Sequence, residues 1–515
     1  MASIERSSPT IAMSAFKTKP YRHQLHYLNN HSREKYFALL AEQGTGKTWM
    51  IINNVAQLWA SGDCDALLVF APNGVHYNWT IEEIPKHMPG WIRYKSAAWC
   101  STAKKEDKKK LDALYHDPFD KSLRILTMNW EALQTKRGFS FAEEFCLGAS
   151  KLMIACDESD SIKNPKAART KALMKLKKYS EWRRIMTGTM INNSPFDAFS
   201  QYSFLDDSIL ETTSYYAFKS EYAEMIQDGS PLMSSIRAKT GSRFTPQIVE
   251  RDENGLPKYK NLDKLSLLIA PHSYRVLKKD CLDLPDKIHT TLYFDLTKEQ
   301  EVIYKKAKDE GRLIFENEDT PFNRLAVFSK LAQITSGYYI HPCSDDAIRI
   351  DGKNPKLLLL EEKVLKAIED REKVIIWARY RIEIEDIRKI LVGHGIKCVQ
   401  YHGGIKKDDR IKAIEDFEKG DAQVFIGNQQ AGATGITLVA ASHVIYFSNS
   451  FSLRDRLQSE DRAHRIGQTK TVTYTNLAAR GTIDEHVINT LLSKKDVADE
   501  ILNANVDLLH KKLYF

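Results

Sequence analysis

Short apolar runs alternate with amphipathic stretches of helical spacing in two separate blocks of the chain. Runs rich in β-branched and apolar residues, bounded by polar positions, are typical of buried strands. Continuous apolar strands separated by helices favour parallel sheets that are covered on both faces. The pattern therefore predicts an α/β fold with two parallel-sheet lobes in tandem. The predicted strands are 66–70, 124–127, 151–156, 184–187, 374–378, 397–401, 424–427 and 444–447.

One predicted helix carries a clear start signal. Asn354 can cap a helix through its side chain, and Pro355 fits the first helical position. The apolar positions that follow repeat at helical spacing, so they should lie on one buried face. They are Leu357, Leu360, Val364 and Ile368.

The composition changes between the two blocks and suggests where the lobes divide. Residues 214–227 are helical and charged in character, residues 228–261 are loop-like, and 283–287 form a plausible hinge. We expect an N-terminal lobe over 1–285 with a helical and loop insertion near 200–270. We expect a C-terminal lobe over 286–515 with a helical insertion near 298–350 and a short C-terminal helix.

The string Ala-Glu-Gln-Gly-Thr-Gly-Lys-Thr at 41–48 is the strongest chemical signal in the chain. It follows an apolar run at 36–40 and precedes a predicted helix at 48–58. A strand, a glycine-bearing loop and a Lys-Thr pair at a helix start together form a phosphate cradle. The loop residues Gln43, Gly44, Thr45 and Gly46 would surround the phosphates. Lys47 would reach the terminal phosphates, and Thr48 would ligate Mg²⁺.

An acidic pair follows a second predicted strand. Asp157 and Glu158 come directly after the strand 151–156, at the edge where ligands bind in open α/β sheets. Asp157 would hold Mg²⁺ through water, and Glu158 would polarise the water that attacks the phosphate. Such pairs are common on solvated surfaces, so the position after a strand and downstream of a phosphate loop carries the argument.

Two arginines near the far end of the chain supply positive charge. Arg462 and Arg465 are three residues apart, so they would share a face on a helix. The guanidinium group stays charged and binds phosphate oxygens in pairs, and an arginine of this kind can contribute about 10³–10⁵ in rate. Spacing alone leaves open a surface arginine pair in an acidic helix.

Composition and charge limit the number of domains, the kind of partner and the compartment that we expect for this protein. The chain has 515 residues, 43% hydrophobic and 28% charged, which is enough for more than one core. The formal net charge of +8 favours polyanionic partners, although a lysine-rich surface would give the same value. Seven cysteines without paired spacing are typical of a reducing compartment. No apolar run approaches the ~20 residues of a membrane span, and no signal peptide is visible. We expect an intracellular protein, cytoplasmic or nucleoid-associated, without membrane attachment.

The ordered set of motifs resembles the Swi/Snf-type ATPases of helicase superfamily II, from about residue 20 to residue 495. The resemblance implies two RecA-like lobes that bind ATP in their cleft with Mg²⁺. It rests on the phosphate loop and the arginine segment 461–468, and on further strings similar to family motifs. These are Pro20-Tyr21-Arg22-His23-Gln24, Asn78-Trp79, Asp157-Glu158-Ser159-Asp160, Thr187-Gly188-Thr189 with Asn193, Tyr401-His402-Gly403-Gly404, and Ala431-Gly432 with Gly435-Ile436.

The resemblance also implies roles for individual residues. Gln24 would read the adenine base, and Gly435 would lie at the ATP site. DNA contacts would come from loops that grip phosphates without reading bases, which places Thr127, Asn129, His402 and Thr434 on the track. Aromatic residues such as Trp79 and Trp130 could stack on bases, but rings of this size are more often part of a core.

Two departures from the family pattern should affect the coupling of ATP hydrolysis to movement more than they affect hydrolysis itself. Asp160 replaces the usual histidine of the acidic box, so we expect an altered contact to the Thr187-Gly188-Thr189 motif. Met190 replaces a proline after that motif. Neither change removes a group that would contact phosphate, metal or water.

The sequence thus predicts a monomeric, ATP-driven translocase on DNA, duplex or branched. We rank a minimal motor for recombination, repair, or fork and branch remodelling above a nucleosome remodeller, because no histone-reading or zinc module is visible. Two alternatives stay open. One is a strand-separating helicase on single-stranded DNA or RNA, and the other is a nucleotide-gated DNA-binding module without productive hydrolysis.

Overall fold

The computed structural model describes residues 16–115, 119–227, 230, 234, 247–253, 256–317, 321–340, 346–432 and 436–513. Contacts between residues divide the chain into two compact units. The first unit comprises Met1–Leu282 together with Lys494–Phe515, and the second comprises Asp283–Ser493. No helix in the described ranges is long and apolar enough to cross a membrane.

The first unit is built on a seven-stranded sheet in which every neighbouring pair is parallel. Its strands are β1 (Tyr36–Ala41), β2 (Ala66–Ala71), β3 (Tyr94–Ala98), β4 (Leu123–Asn129), β5 (Leu152–Asp157), β6 (Ser180–Met186) and β7 (Ser273–Val276). Their order across the sheet is β3-β4-β2-β5-β6-β1-β7. The strand order requires crossovers, which the intervening helices supply.

The α-helices of the first unit are α1 (Arg22–His31), α2 (Lys47–Ala60), α3 (Val75–Asn78), α4 (Ile84–His87), α5 (Lys105–Asp112), α6 (Lys136–Leu147), α7 (Ala168–Leu176), α8 (Asp197–Leu205), α9 (Tyr215–Tyr222), α10 (Leu262–Ile269) and α11 (Lys278–Cys281). A π-helical turn (Trp79–Glu83) joins α3 to α4. Short 3₁₀ segments cover Trp130–Gln134, Ser159–Ile162, Lys177–Tyr179 and Ala270–His272.

The first sheet has an apolar core on each face. Along β2, Leu68 and Phe70 belong to one hydrophobic cluster, and Leu67 and Val69 belong to another. Successive side chains of a strand point to opposite faces, so both faces of this strand are buried under helices. This arrangement explains why the strand is apolar throughout rather than alternating.

A buried arginine fastens α1 and α2 to the first sheet. Arg184 on β6 is fully buried, and its Nε donates to Tyr27 Oη and to Asn54 Oδ1, each at 3.1 Å. The other guanidinium nitrogens donate to the carbonyl oxygens of Lys35 at 3.0 Å and Ser32 at 3.2 Å. A buried cation is tolerated when its donors are satisfied, so this network holds both helices in register with the sheet.

The second unit has a six-stranded sheet that is also entirely parallel. Its strands are β8 (Lys287–Phe294), β11 (Lys373–Trp377), β12 (Cys398–Tyr401), β13 (Val424–Gly427), β14 (Ala441–Tyr446) and β15 (Val472–Ala479), in the order β12-β13-β11-β14-β15-β8. A separate antiparallel pair is formed by β9 (Tyr338–Ile340) and β10 (Ala347–Arg349).

The α-helices of the second unit are α12 (Lys298–Asn317), α13 (Pro321–Thr335), α14 (Pro355–Glu369), α15 (Arg381–Gly393), α16 (Lys407–Lys419), α17 (Gln429–Gly432) and α18 (Leu453–Ala463). A last helix, α19 (Ile483–Leu513), begins in this unit and ends in the first. On β11, Val374 and Ile376 pack in one cluster and Ile375 and Trp377 in another, so this sheet is also covered on both faces.

The structure confirms the predicted α/β architecture with two parallel sheets. The predicted helix start is also confirmed, since the Asn354 side chain accepts hydrogen bonds from the backbone N–H groups of Lys356 and Leu357 at 3.0 and 3.4 Å. Six of the described strands were not predicted: β3, β7, β8, β15 and the antiparallel pair β9 and β10, which lies where a helical insertion was expected. Three of them, β3, β7 and β8, lie at sheet edges, where exposed faces remove the continuous apolar pattern.

The C-terminal segment differs from the prediction, which placed 286–515 in one lobe. Residues from Lys494 onward group with the first unit. Ile501 and Leu502 are buried in the first hydrophobic cluster, and Asp499 pairs with Arg275 at 3.0 Å. The reason is packing: the apolar side of late α19 is part of the first unit's core.

We expect Ile501→Ala to lower the free energy of unfolding by about 2–4 kcal/mol, because it leaves a cavity in that core. Urea denaturation followed by circular dichroism would measure the loss. Leu267→Ala is a matched control, since Leu267 lies on α10 of the same unit and is 54% exposed. An equally small loss of unfolding free energy in both variants would show that the C-terminal part of α19 is not part of the core.

Candidate functional site

The candidate phosphate loop connects β1 to α2 and requires glycine at two positions. Gly44 and Gly46 have φ angles of 81° and 85°, in the left-handed region that favours glycine. A Cβ atom added to Gly46 would lie 2.2 Å from Gln24 Nε2, so a larger residue would also clash there. The loop leads directly into the N-terminus of a long helix, where the helix dipole and free N–H groups favour anions.

The polar side chains of the loop bond to its own backbone. Lys47 Nζ donates to Ala41 O at 2.8 Å and to Glu42 O at 3.4 Å. Thr45 Oγ1 donates to Glu42 O at 2.7 Å. Lys47 is buried, and Thr48 is half-buried in the first turn of α2. The loop therefore keeps a compact shape in which the predicted phosphate-contacting lysine is already ordered.

Residues of α1 brace this loop from outside. Gln24 Nε2 donates to Thr45 O at 3.2 Å, and Gln24 Oε1 accepts the backbone N–H of Tyr21 at 2.9 Å. His23 Nε2 also lies 2.7 Å from Thr45 O. Burial lowers the pKa of His23, although the bond to Thr45 opposes the shift, so this ring is a neutral donor near pH 7. The structure places Gln24 against the loop; its role as an adenine reader stays a prediction.

The acidic pair lies at the carboxyl ends of the parallel strands, where the phosphate loop also lies. Asp157 is the last residue of β5, and both Asp157 and Leu39 of β1 are register partners of Met186 on β6. Glu158 follows in a left-handed conformation with φ of 49°, an unusual backbone for a residue with a side chain. Gln43 Nε2 lies 3.5 Å from Glu158 Oε1, which links the loop to the acidic pair.

Asp157 is held by two indole groups and one backbone amide. Trp79 Nε1 donates to Asp157 Oδ2 at 2.9 Å, and Trp130 Nε1 donates to the backbone oxygen of Asp157 at 3.1 Å. The backbone N–H of Glu158 donates to Asp157 Oδ1 at 3.0 Å. Both rings are buried, as the sequence predicted, but their polar ends orient a predicted metal ligand. Sequence reasoning missed this role, because the partner of a buried indole cannot be read from spacing.

The environment of Asp157 shifts its pKa upward. Burial is the largest cause, and the neighbouring carboxylate of Glu158 adds to it; together they raise the pKa from 3.8 to about 6. The Trp79 hydrogen bond, the charge of Lys47 and the Glu158 amide act in the opposite direction. Near pH 7 the carboxylate is thus ionised at a cost, which a nearby cation would reduce.

The segment after β6 passes beside the phosphate loop. A Cβ atom added to Gly188 would lie 3.3 Å from Gln43 N and 3.4 Å from Ala41 O, so a larger residue would press against the backbone of the loop. Thr187 is buried, and its Oγ1 accepts the N–H of Thr189 at 3.0 Å. The Thr187-Gly188-Thr189 string therefore lies directly against the phosphate loop.

The acidic box also contacts this segment, despite the aspartate that replaces histidine. Asn192 Nδ2 donates to Asp160 Oδ2 at 3.2 Å. Ser159 Oγ donates to Gln201 Oε1 at 2.7 Å, and Gln201 Nε2 donates to Met190 O at 3.0 Å. The sequence predicts an altered contact between the box and this motif. The structure shows a link of side-chain hydrogen bonds, in which Asp160 accepts rather than donates.

The oxygen atoms at this edge suit Mg²⁺ when phosphate is present. Magnesium is usually bound by one or two carboxylates together with substrate phosphates. Asp157 offers carboxylate oxygens, Thr48 offers a hydroxyl group, and within the described residues Glu158 Oε2 is buried without a hydrogen-bond partner. A buried carboxylate oxygen without a protein partner fits contact with a water or a hydrated ion.

In the second unit, Arg462 and Arg465 converge on one carbonyl group. Arg462 Nη1 lies 3.3 Å from Ile436 O, and Arg465 Nη1 lies 3.4 Å from the same atom and 3.0 Å from Thr437 Oγ1. The expectation of a shared helical face is wrong, because α18 ends at Ala463 and Arg465 lies beyond it. Arg462 is buried, whereas Arg465 is half-buried and so is the more accessible of the two.

The remaining ATP-site prediction in this unit, Gly435, lies outside the described residues, as does Thr434. His402 follows β12, and its Nδ1 accepts the N–H of Gly404 at 3.2 Å. Burial and the charge of Arg381 lower the pKa of His402, with Glu385 opposing, so the ring is neutral near pH 7.

The two DNA-contact candidates of the first unit are placed differently. Thr127 is fully buried; its Oγ1 donates to His76 O at 2.8 Å and lies 2.8 Å from Thr80 Oγ1. Its hydroxyl is thus engaged inside the protein and is not presented to a phosphate. Asn129 is half-buried at the end of β4, with its Nδ2 donating to Glu131 Oε2 at 2.9 Å. Of the two, Asn129 is the accessible residue.

Two helix-covered parallel sheets in tandem, the first with a phosphate-type loop at its edge, define the RecA-like, two-lobed helicase class. Family models agree with this architecture. The SNF2-related domain matches residues 23–337, and the helicase conserved C-terminal domain matches residues 356–467. Because the first match spans more than half of the chain, the protein belongs to the SNF2-related family.

Known proteins show the same relationship at low identity. The chain is 26% identical to an uncharacterized ATP-dependent helicase of Mycoplasma pneumoniae, with 92% of this chain and 41% of that protein covered. It is 24% identical to the ATP-dependent helicase FUN30 of Saccharomyces cerevisiae, with 99% and 50% covered. The chain therefore spans half or less of the length of these relatives.

A solved structure that matches this chain along most of both chains is the Sulfolobus solfataricus SWI2/SNF2 ATPase core in complex with dsDNA. It covers 96% of this chain and 95% of its own, at 22% identity and a TM-score of 0.41. At that score the fold assignment rests on the two sheets and the family models.

We expect Trp79→Phe to destabilise the protein in a pH-dependent way. The raised pKa means that the native state binds the Asp157 proton more tightly than the unfolded state. The contribution of Asp157 to stability therefore falls as pH rises from about 4 through 6. Loss of the indole donor deepens this fall, so the variant should lose about 1.5–3 kcal/mol at pH 8 and less at pH 5.

Urea denaturation at pH 5 and pH 8 would measure both values. Trp59→Phe is the matched control, since its indole donates to the exposed carbonyl of Lys121. The same loss for Trp79→Phe at the two pH values would show that the indole does not act on the carboxylate.

Proposed function

We propose that this protein is an ATP-driven translocase on DNA, with duplex DNA as its preferred track. One observation carries the proposal. At a single edge of the first sheet, the phosphate-type loop, the Asp157-Glu158 pair and the Gly188 segment lie within contact distance of one another. Membership in the SNF2-related family supports it, as do relatives whose names describe ATP-dependent helicases.

The chemical roles follow from the groups present. Lys47 and the N–H groups of Gln43, Gly44, Thr45 and Gly46 would bind the phosphates of ATP. Glu158 would orient and deprotonate the attacking water through Oε2, a buried atom to which no group among the described residues donates a hydrogen bond. Thr48 and Asp157 would hold Mg²⁺, which would neutralise charge on the terminal phosphates.

Further residues would complete the nucleotide site. Gln24 would contact the adenine base, and Gly435 would lie close to the nucleotide. Arg465, the more accessible arginine of its pair, would stabilise the charge on the transferred phosphate, with Arg462 supporting it through Ile436 O.

Binding to DNA would depend on its backbone rather than on its bases. The net charge of +8 favours a polyanion, and phosphate contacts dominate the affinity of sequence-independent DNA binding. Asn129, His402 and Thr434 are the proposed contacts. Thr127 would contribute by fixing the backbone at the end of β4, given its buried hydroxyl.

A finer proposal concerns the use of the motor. Movement on duplex DNA would serve fork or branch remodelling in recombination or repair. Triplex displacement and branch migration are the assays that would support this use.

Lys47→Ala and Glu158→Gln should each reduce ATP turnover by at least about 100-fold, while DNA binding stays within about threefold of the wild type. The first change removes the phosphate-binding ammonium, and the second removes the base that activates water. Steady-state phosphate release and fluorescence anisotropy on labelled duplex DNA would measure the two properties. Lys86→Ala changes an exposed lysine on α4 and is the control. Unchanged turnover in either site variant would overturn the assignment of the site.

Duplex DNA should stimulate hydrolysis more than single-stranded DNA, RNA or no polymer. The four conditions would be compared in parallel at equal nucleotide concentration and fixed salt. Stimulation by single strands or RNA alone would indicate a strand-separating helicase, which displacement of an annealed strand would then establish. Equal low rates in all four conditions would favour a nucleotide-gated binding module.

A further inference from the structure

A second lysine lies against the phosphate loop. Lys278 is the first residue of α11 and follows β7 by two positions, and only 4% of its surface is exposed. β7 pairs in parallel with β1, with Val276 opposite Ala41. Lys278 therefore lies beyond the carboxyl ends of these strands, as the loop does. Only the tertiary structure brings Lys278 close to the loop, because more than two hundred residues of sequence separate the two.

Contacts to two loop residues fix this lysine in place. The backbone N–H of Lys278 donates to Glu42 Oε2 at 2.6 Å, and the backbone N–H of Glu42 donates to Val276 O at 3.0 Å. A Cβ atom added to Gly44 would lie 3.9 Å from Lys278 Cε. The aliphatic stem of Lys278 thus runs beside Gly44, and the ammonium group lies one bond further along.

The position places a second positive charge beside the loop that holds Lys47. Lys47 approaches the loop from α2 and bonds to Ala41 O, whereas Lys278 approaches from α11 at Gly44. A nucleoside triphosphate brings several negative charges next to Asp157 and Glu158, so charge balance at this edge favours more than one cation.

We propose that Lys278 is a second phosphate-contacting lysine, whose ammonium group binds the β- and γ-phosphate oxygens of the nucleotide. The proposal rests on the proposed function, because it assumes that the loop binds ATP. Glu42 is the positioning residue in this arrangement, since its carboxylate anchors the backbone from which Lys278 projects. The contact would make affinity depend on the length of the phosphate chain.

The test compares variants of two adjacent lysines. Lys278→Met removes the charge and keeps an unbranched stem, whereas Lys279→Met makes the same change at an exposed neighbour. ATP, ADP and AMP would compete against a fluorescent ADP analogue on each variant. We expect Lys278→Met to weaken ATP and ADP by about 10- to 100-fold, since a charge-assisted hydrogen bond is lost. AMP should change by less than about twofold, and Lys279→Met should match the wild type.

Further readouts separate contact from structural support. In steady-state hydrolysis, Lys278→Met should raise KM for ATP by the same factor as the dissociation constant, with kcat within about threefold. Lys278→Arg should restore most of the ADP affinity, because it keeps the charge. If Lys278→Met does not fold, Lys278→Gln replaces it in the same comparison.

Equal weakening of ATP, ADP and AMP would overturn the proposal, as would unchanged ADP affinity in a folded Lys278→Met protein. Failure of the proposed function would look different. In that case the wild-type protein would bind none of the three nucleotides, or Lys47→Ala would leave ATP binding and turnover unchanged.

Discussion

Parallel strand pairing is the constraint on which the candidate site depends. In a parallel sheet every strand ends at the same edge, so residues that follow different strands meet there without any sequence proximity. In the first unit β1 delivers the phosphate loop, β5 delivers Asp157, β6 delivers Gly188 and β7 delivers Lys278. The register of these strands, rather than any single loop, brings the polar groups together.

That dependence explains why buried polar groups lie within the first unit. Arg184 holds two helices to β6 through backbone and side-chain acceptors, and α1 carries the residues that brace the phosphate loop. A shift of one strand by one residue would reverse every side chain on it and separate the acidic pair from the loop. A satisfied buried guanidinium is compatible only with the correct register, so it contributes to specificity as well as to stability.

Much of the fold and part of the site could be predicted from the sequence, for physical reasons. The phosphate loop is local: its glycines and the following Lys-Thr pair impose a shape within eight positions. Central strands such as β2 are buried on both faces and are therefore apolar throughout. Edge strands such as β3 and β8 lack that pattern, and the late part of α19 packs where only the folded chain can show it. The shared acceptor of Arg462 and Arg465 also depends on tertiary structure, since the second arginine lies beyond its helix.

The bond from Trp79 to Asp157 has a consequence for the evolution of the site. A buried core ring, Trp79, donates a hydrogen bond to the carboxylate of the predicted metal ligand Asp157. The charges of Glu158 and Lys47 act on the same carboxylate. Substitutions within such a network are not additive, because each one changes the energy of the others. Substitutions at Trp79 would therefore be constrained by Asp157, its hydrogen-bond partner. A relative that has lost the indole donor should be expected to carry compensating changes around its acidic pair, so that the two positions change together rather than independently.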